Sequence, residues 1–266
     1  PMPALELDHG TLSYEVFGAA ENPGLFLIHG LHGDSESVRP IAERLAKRFH
    51  VIAPDMLGHG ESERLEEFTL DDQAQALTQL VFEYGYRDTN IVGYSMGSYI
   101  AARAAALAPE QLERLVLVAP KPAGTTSSTA TAAENAGLDP QTASADDVMA
   151  ALQQAIWSES TDEDRRREIM STVNEAENLS KDERERIEES VQGFDLREHL
   201  PSITARTLVL SGADDGLNPP KVGREVAELI PHAEFRVYER SGHMLPYEET
   251  DRFVEDVTEF IMAGRR

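Results

Sequence analysis

The sequence predicts an α/β protein: an eight-stranded, mostly parallel sheet flanked by helices, with a helical segment inserted late in the chain. Short β-branched runs alternate with helical patterns along most of the 266 residues, the pattern of parallel strands joined by crossover helices. From Lys121 to about Leu200 the alternation stops and no convincing strand occurs. Hydrophobic residues make up 41% of the chain, so a sizeable core can be filled.

The elements follow in order. "ALEL" and "TLSYEV" flank "DHG" and read as a hairpin with a glycine-containing turn. The remaining strands are Leu25–Ile28, Val51–Pro54, Asn90–Gly93, Leu115–Val118, Thr207–Ser211 and Glu234–Tyr238. Helical patterns fall near Val38–Arg48, Asp71–Tyr84, Met96–Ala108, Pro220–Ile230 and Glu248–Ala263. The block after the sixth strand opens with "AGTTSSTATAAENAG", read as a small-residue loop. Val148, Leu152 and Ile156 share one helical face, and Ile169, Val173 and Ala176 another. Ser180 and Glu183 form a capping box ahead of a helix that carries Ile187 and Val191. These apolar stripes are narrow, so the helices must lie on another body. The expected organisation is a core from residues 1–120 and 201–266, with residues 121–200 as a helical cap.

Lys and Arg total 24 against 48 Asp and Glu, a net charge of −24. Such a surface repels nucleic acid and anionic lipid, so neither is an expected partner. It reads as an adaptation for solubility or salt rather than as a statement about fold. No stretch has the apolar length to span a bilayer, and "PMPALELDHG" lacks the pattern of a signal peptide, so the expected location is cytoplasmic. The chain has no cysteine, which excludes disulfides and thiolate chemistry. No cofactor is implied. His29 and His32 have no acidic or thiol partner spaced to complete a metal site with them.

Chemistry concentrates in "NIVGYSMGSYIAARAA". Here Gly93-Tyr94-Ser95-Met96-Gly97 places a serine at a strand-to-helix turn, with glycine two residues to either side. Side chains at those two positions would collide, and glycine removes the collision. The turn lifts the Ser95 hydroxyl out of the sheet at a helix N-terminus, where the Met96 N–H can stabilise a negative oxygen. The loop "IHGLHG" after the third strand can bring the Leu31 N–H to the same point. Two such donors make an oxyanion hole.

A serine nucleophile needs a base. Three histidines follow Ser95: His199, His232 and His243. His199 sits at the exit of the insertion. His232 leads into the last strand at its N-terminal edge, whereas His243 lies just past that strand's end, where sites of parallel sheets are built. His243 is therefore the expected base. The acid that orients it falls at Asp214 or Asp215, after the seventh strand.

Together these stretches resemble the α/β-hydrolase fold superfamily along essentially the whole chain. The resemblance rests on His29-Gly30, on "DMLGHGES" at Asp55–Ser62, on the Gly93–Gly97 elbow, on "GADDGLNP" at Gly212–Pro219 and on Gly242-His243. Its register selects Asp215 over Asp214 and implies oxyanion donors at Leu31 and Met96. Ser98 departs from the second glycine common after the elbow. The resemblance implies a serine hydrolase whose cap covers the site. Trp157 and Met244 are candidate substrate walls, and Trp157 reads equally as an anchor pinning the cap to the core. The expected substrate is a small, largely apolar ester or lactone. C–C bond hydrolysis, thioester hydrolysis and acyl transfer use the same constellation. A receptor of the same fold is the alternative from another class, and the oligomeric state is open.

Overall fold

The computed structural model describes residues 2–85, 88–124, 128–173 and 178–265. Eight strands form one sheet in the order β1-β2-β4-β3-β5-β6-β7-β8. They are β1 (Ala4–Glu6), β2 (Thr11–Phe17), β3 (Gly24–Ile28), β4 (His50–Pro54), β5 (Thr89–Tyr94), β6 (Leu112–Val118), β7 (Arg206–Gly212) and β8 (Ala233–Tyr238). β2 pairs antiparallel with β1 and β4, and every later pairing is parallel. The chain leaves β3 for β4 on one side and returns to β5 on the other. The order therefore reverses between β3 and β5, and a crevice opens beyond their C-terminal ends at such a reversal.

The central strands are apolar on both faces because helices cover both. Phe26 and Ile28 of β3 face one hydrophobic layer, while Leu25 and Leu27 face the other. The first layer is closed by α2 (Leu70–Tyr84), α3 (Met96–Leu107) and α8 (Pro220–Leu229) through residues such as Leu77, Ile100 and Val226. The second is closed by α1 (Arg39–Leu45) and α10 (Thr250–Met262) through Ile41, Leu45, Phe253 and Val257. α2 starts where Thr69 and Asp72 exchange side-chain and backbone hydrogen bonds, and it stops at Gly85 with φ 63°.

Between β6 and β7 lie α4 (Ser128–Asn135), α5 (Ala145–Ile156), α6 (Glu163–Thr172) and α7 (Lys181–Val191). The two ends of this insertion meet in a narrow neck. Gly124 N–H donates to Phe194 O at 2.9 Å, and Leu196 N–H donates to Pro122 O at 2.8 Å. Ile156, Ile169 and Val173 pack into the second layer, whereas Ile187 of α7 packs into the first. Ala176, expected on the α6 face, lies outside the described residues. The Ser180–Glu183 capping box opens α7. Among the described residues no helix is long and apolar enough to cross a membrane.

Two sequence expectations change. The segment read as a small-residue loop contains α4, with Ala132 and Ala133 buried. Alanine favours helix strongly enough to carry the Ser and Thr residues once one face is covered. The helix expected over Glu248–Ala263 is instead α9 (Leu245–Glu248) followed by α10, with Glu249 between them at φ −125° and ψ 58°. The break frees both carboxylates for distant partners. Glu248 accepts from Gly242 N–H at 2.8 Å, and Glu249 accepts from Ser241 Oγ at 2.6 Å.

Candidate functional site

Ser95 sits between β5 and α3 at φ 53° and ψ −119°. A side chain on Gly93 would place its Cβ 2.3 Å from Gly97 O, and one on Gly97 would lie 2.3 Å from Ile28 O. The turn is therefore available only to this glycine pattern. Its backbone is tied at both ends: Ser95 N–H donates to Val118 O at 2.9 Å, and Ser95 O accepts from Ser98 N–H at 2.8 Å and from Ser98 Oγ at 2.5 Å. The departure at Ser98 thus adds a second donor to the elbow carbonyl.

Ser95 Oγ lies 2.8 Å from His243 Nε2. His243 Nδ1 lies 2.8 Å from Asp215 Oδ2. The other Asp215 oxygen accepts from the Leu217 and Asn218 amides at 2.8 and 2.9 Å. All three side chains are buried. Asp214 points elsewhere, its Oδ2 accepting from Ser158 Oγ at 2.5 Å in the link between α5 and α6. His243 is held from several directions. Tyr94 Oη donates to its carbonyl at 2.9 Å, and its amide donates to Ile156 O at 2.9 Å.

Leu31 and Met96 line one cavity with Ser95. A Cβ on Gly30 would lie 3.4 Å from the Ser95 Cβ, so the loop after β3 runs directly against the elbow. Among the described residues no protein acceptor takes up the Leu31 or Met96 amide. Two histidines hold that loop. Met56 N–H donates to His29 Nε2 at 3.0 Å, and His32 N–H donates to His59 Nε2 at 3.2 Å. Each Nε2 must be unprotonated to accept, so each Nδ1–H donates, to Gly30 O at 2.7 Å and to Leu57 O at 3.0 Å. Both rings are neutral, and burial lowers the pKa of each. Asp55 fixes the neighbouring turns through Ser35 N–H at 2.7 Å and Glu61 N–H at 2.9 Å. The sequence pattern marks these residues but not their task, which their buried polar neighbours supply.

The cavity holds only about 20 Å³, roughly the room of one water. Its remaining walls are Tyr99, Lys121, Ser128, Glu188, Val191 and Phe194. Phe194 stacks on Tyr99 at 4.4 Å between ring centroids. Asn218 Nδ2 donates to Tyr99 Oη at 2.7 Å, and burial pushes the phenol far above its usual pKa.

Trp157 and Met244 are not in this wall. Trp157 Nε1–H donates to Gln153 Oε1 at 3.1 Å, and the Arg166 guanidinium lies over the ring at 5.9 Å. The indole pins the C-terminal end of α5 into the second hydrophobic layer. The Met244 sulfur lies 3.2 Å from Tyr94 Oη, in the packing behind His243. Met244 was expected as a wall because it follows the base, and Trp157 as either a wall or an anchor of the insertion; the indole takes the anchoring position. His199 lines a groove beside Phe68 and Arg103, and His232 is exposed at the opposite edge of the sheet.

A sequence model of the family described as "alpha/beta hydrolase fold" matches residues 23–155 and 133–250. The pimeloyl-[acyl-carrier protein] methyl ester esterase of Vibrio vulnificus is 26% identical over 257 residues, which cover 92% of this chain and 96% of that protein. The enol-lactonase from Burkholderia xenovorans superimposes with a TM-score of 0.83 at 24% identity, over 98% of this chain and 100% of that one. An esterase from Exiguobacterium antarcticum gives a TM-score of 0.82 at 19% identity, over 98% of both chains.

Proposed function

The chain belongs to the α/β hydrolase fold family, and from that premise we propose that it is a serine hydrolase cleaving a carboxylic ester or lactone through an acyl-enzyme on Ser95. The observation that carries the reading is the unbroken relay from Asp215 through His243 to Ser95, with 2.8 Å at both steps. The esterase and lactonase relatives support the bond class.

Asp215 accepts the Nδ1–H of His243 and so leaves Nε2 free to accept the Ser95 proton. Ser95 Oγ then attacks the substrate carbonyl. The resulting oxyanion is held by the Leu31 and Met96 N–H groups, donors fixed before the charge forms. His243 passes its proton to the departing alkoxide, the acyl-enzyme remains, and a water deprotonated by the same Nε2 attacks it. Breakdown of the second tetrahedral intermediate returns the proton to Ser95 and releases the acid. Residues 121–200 act as a cap over this centre, and α4 and α7 move aside to admit substrate.

The test is a fluorophosphonate probe and a short p-nitrophenyl ester. Label on Ser95, with turnover that falls about a millionfold in Ser95→Ala, is the expected result. A folded protein that stays unlabelled and binds esters without turning them over would establish the receptor alternative.

A further inference from the structure

Lys121 is the cation of the Ser95 cavity. It follows β6 in "APKP" and lines the same wall as Leu31, Ser95 and Met96. Among the described residues its ammonium has no ion-pair or hydrogen-bond partner. Its Nζ lies over the ring face of Tyr99, 6.0 Å from the centroid. Its stem passes Gly124, whose added Cβ would meet Lys121 Cε at 3.4 Å and Phe194 Cε1 at 2.6 Å, so the side chain is channelled between the neck of the insertion and the elbow helix.

Glu188, the acid in the same cavity, does not neutralise it. Its Oε1 is directed to His32 Nε2, 3.7 Å away, on the side of the Leu31 loop. Glu188 is thus engaged with His32, whereas Lys121 shares the cavity wall with Tyr99 and Phe194. Burial lowers the Lys121 pKa, and the Asp215 carboxylate acts in the opposite direction. In a chain of net charge −24, a half-buried ammonium with no carboxylate partner among the described residues, lining the same cavity as Ser95, is costly unless a ligand supplies the missing charge.

We propose that Lys121 is the anion-recognising residue of the site, and that the substrate is an ester or lactone bearing a second, carboxylate group that pairs with Lys121 while Ser95 attacks the ester carbonyl. This rests on the acyl-enzyme reading and narrows it. It differs from the largely apolar substrate expected from sequence. The arginines of the insertion at Arg165 to Arg167 are occupied elsewhere. Arg165 pairs with Glu168 at 3.1 Å, Arg167 pairs with Asp164, and Arg166 donates to the Thr161 and Ser158 carbonyls at 2.7 and 3.0 Å.

The experiment titrates monomethyl succinate, glutarate and adipate, and the neutral methyl butyrate and valerate, into Ser95→Ala protein by calorimetry. That protein cannot turn them over. The same titrations follow in Ser95→Ala backgrounds carrying Lys121→Met, Lys121→Arg or Lys47→Met. The exposed Lys47 removes an equal unit of charge far from the cavity. The expected result is that at least one half-ester binds about tenfold or more tighter than its neutral counterpart. That ratio collapses in Lys121→Met and persists in Lys121→Arg and Lys47→Met. In the wild-type enzyme the same preference is expected in KM rather than kcat. A ratio near one, or a ratio equal in Lys121→Met and Lys47→Met, overturns the proposal. Turnover of neutral esters by wild type against Ser95→Ala is scored separately. Its outcome decides the acyl-enzyme reading, and so the two failures are distinguishable.

Discussion

The carbonyl of Ile156 accepts the amide of His243 at 2.9 Å. One residue earlier, Ala155 O accepts the amide of Gly216 at 2.8 Å. The last turn of α5 has carbonyls with no partner inside the helix, and here they are taken by the loops that carry His243 and Asp215. α5 is thus a strut of the proposed triad. A Cβ on Gly216 would lie 2.9 Å from Ala155 O, so a glycine is required for the loop to come this close. α7, by contrast, supplies Glu188 and Val191 to the roof of the Ser95 cavity. The insertion therefore braces the loops of His243 and Asp215 through α5 and lines the Ser95 cavity through α7.

Breaking the strut should cost rate before it costs fold. Ala155→Pro distorts the final turn of α5 and removes its grip on both loops, while the sheet is untouched. The expected outcome is fluorophosphonate labelling of Ser95 slowed about tenfold or more, because base and nucleophile lose alignment. The far-UV spectrum should be retained. Labelling at the wild-type rate would show that α5 merely covers the loops.

The adjacent aspartates should separate cleanly. Asp215→Asn keeps the volume but presents an amide to His243 Nδ1, which favours the wrong imidazole tautomer and lowers kcat by roughly 10⁴-fold. Asp214→Asn touches only the Ser158 hydroxyl, and its kcat should stay within about tenfold of wild type. Steady-state assays on one ester decide it. Equal losses would mean that the two loops act as one unit and that the Asp215 contact has no special part.

Much of this site was legible because its local steric demands leave a pattern. Gly93 and Gly97 flank Ser95 since nothing larger fits, and that spacing is visible without coordinates. His243 follows from a strand end, which the apolar runs mark; the strand ends leave Asp214 and Asp215 open, and only the family resemblance selects Asp215. Lys121 left no such trace, because one lysine in a loop looks the same whether it faces solvent or a serine. The direction of Trp157 was equally hidden, being decided by the junction of α5 with loops some sixty and ninety residues further on. α4 escaped because a run of Ser, Thr and Ala reads as loop until tertiary contacts bury two of its alanines. The α9–α10 break was concealed because the carboxylates that need it serve partners outside the helix.

Pocket size should respond to Phe194. Its ring stacks on Tyr99 and fills the end of a cavity of about 20 Å³. Phe194→Ala opens that end. Activity on longer acyl chains should rise relative to acetate by roughly tenfold in kcat/KM, the scale set by an added methylene in an apolar pocket. A panel of p-nitrophenyl esters of increasing length reads this directly. An unchanged chain-length profile would place the acyl group elsewhere.

Acid should destabilise the fold through the histidines around the Leu31 loop. Burial holds His32 down at about 4, with the Arg184 charge acting in the same direction and a backbone contact opposing it. His29 and His59 are lowered too, and each accepts a backbone N–H that protonation would evict. With folded pKa values below the unfolded one, the unfolded chain binds more protons between them. The stabilisation is complete above the unfolded value and is lost as pH falls towards the folded one. For His32 alone the loss on going from about pH 7.5 to about pH 5.5 is roughly 1 kcal/mol. Its Nε2 is buried without a hydrogen-bond partner, 3.7 Å from Glu188, whose own pKa is raised by burial and by Glu185, so the pair gives little relief in that window. His32→Asn suits the same backbone, at φ 63°, and removes the titration. Urea unfolding at the two pH values should therefore show a smaller acid penalty in His32→Asn than in wild type. An identical penalty in both would mean that His32 has the same pKa in the folded and unfolded chain, and a larger penalty in His32→Asn would mean that its contact with Glu188 is an ion pair that raises that pKa.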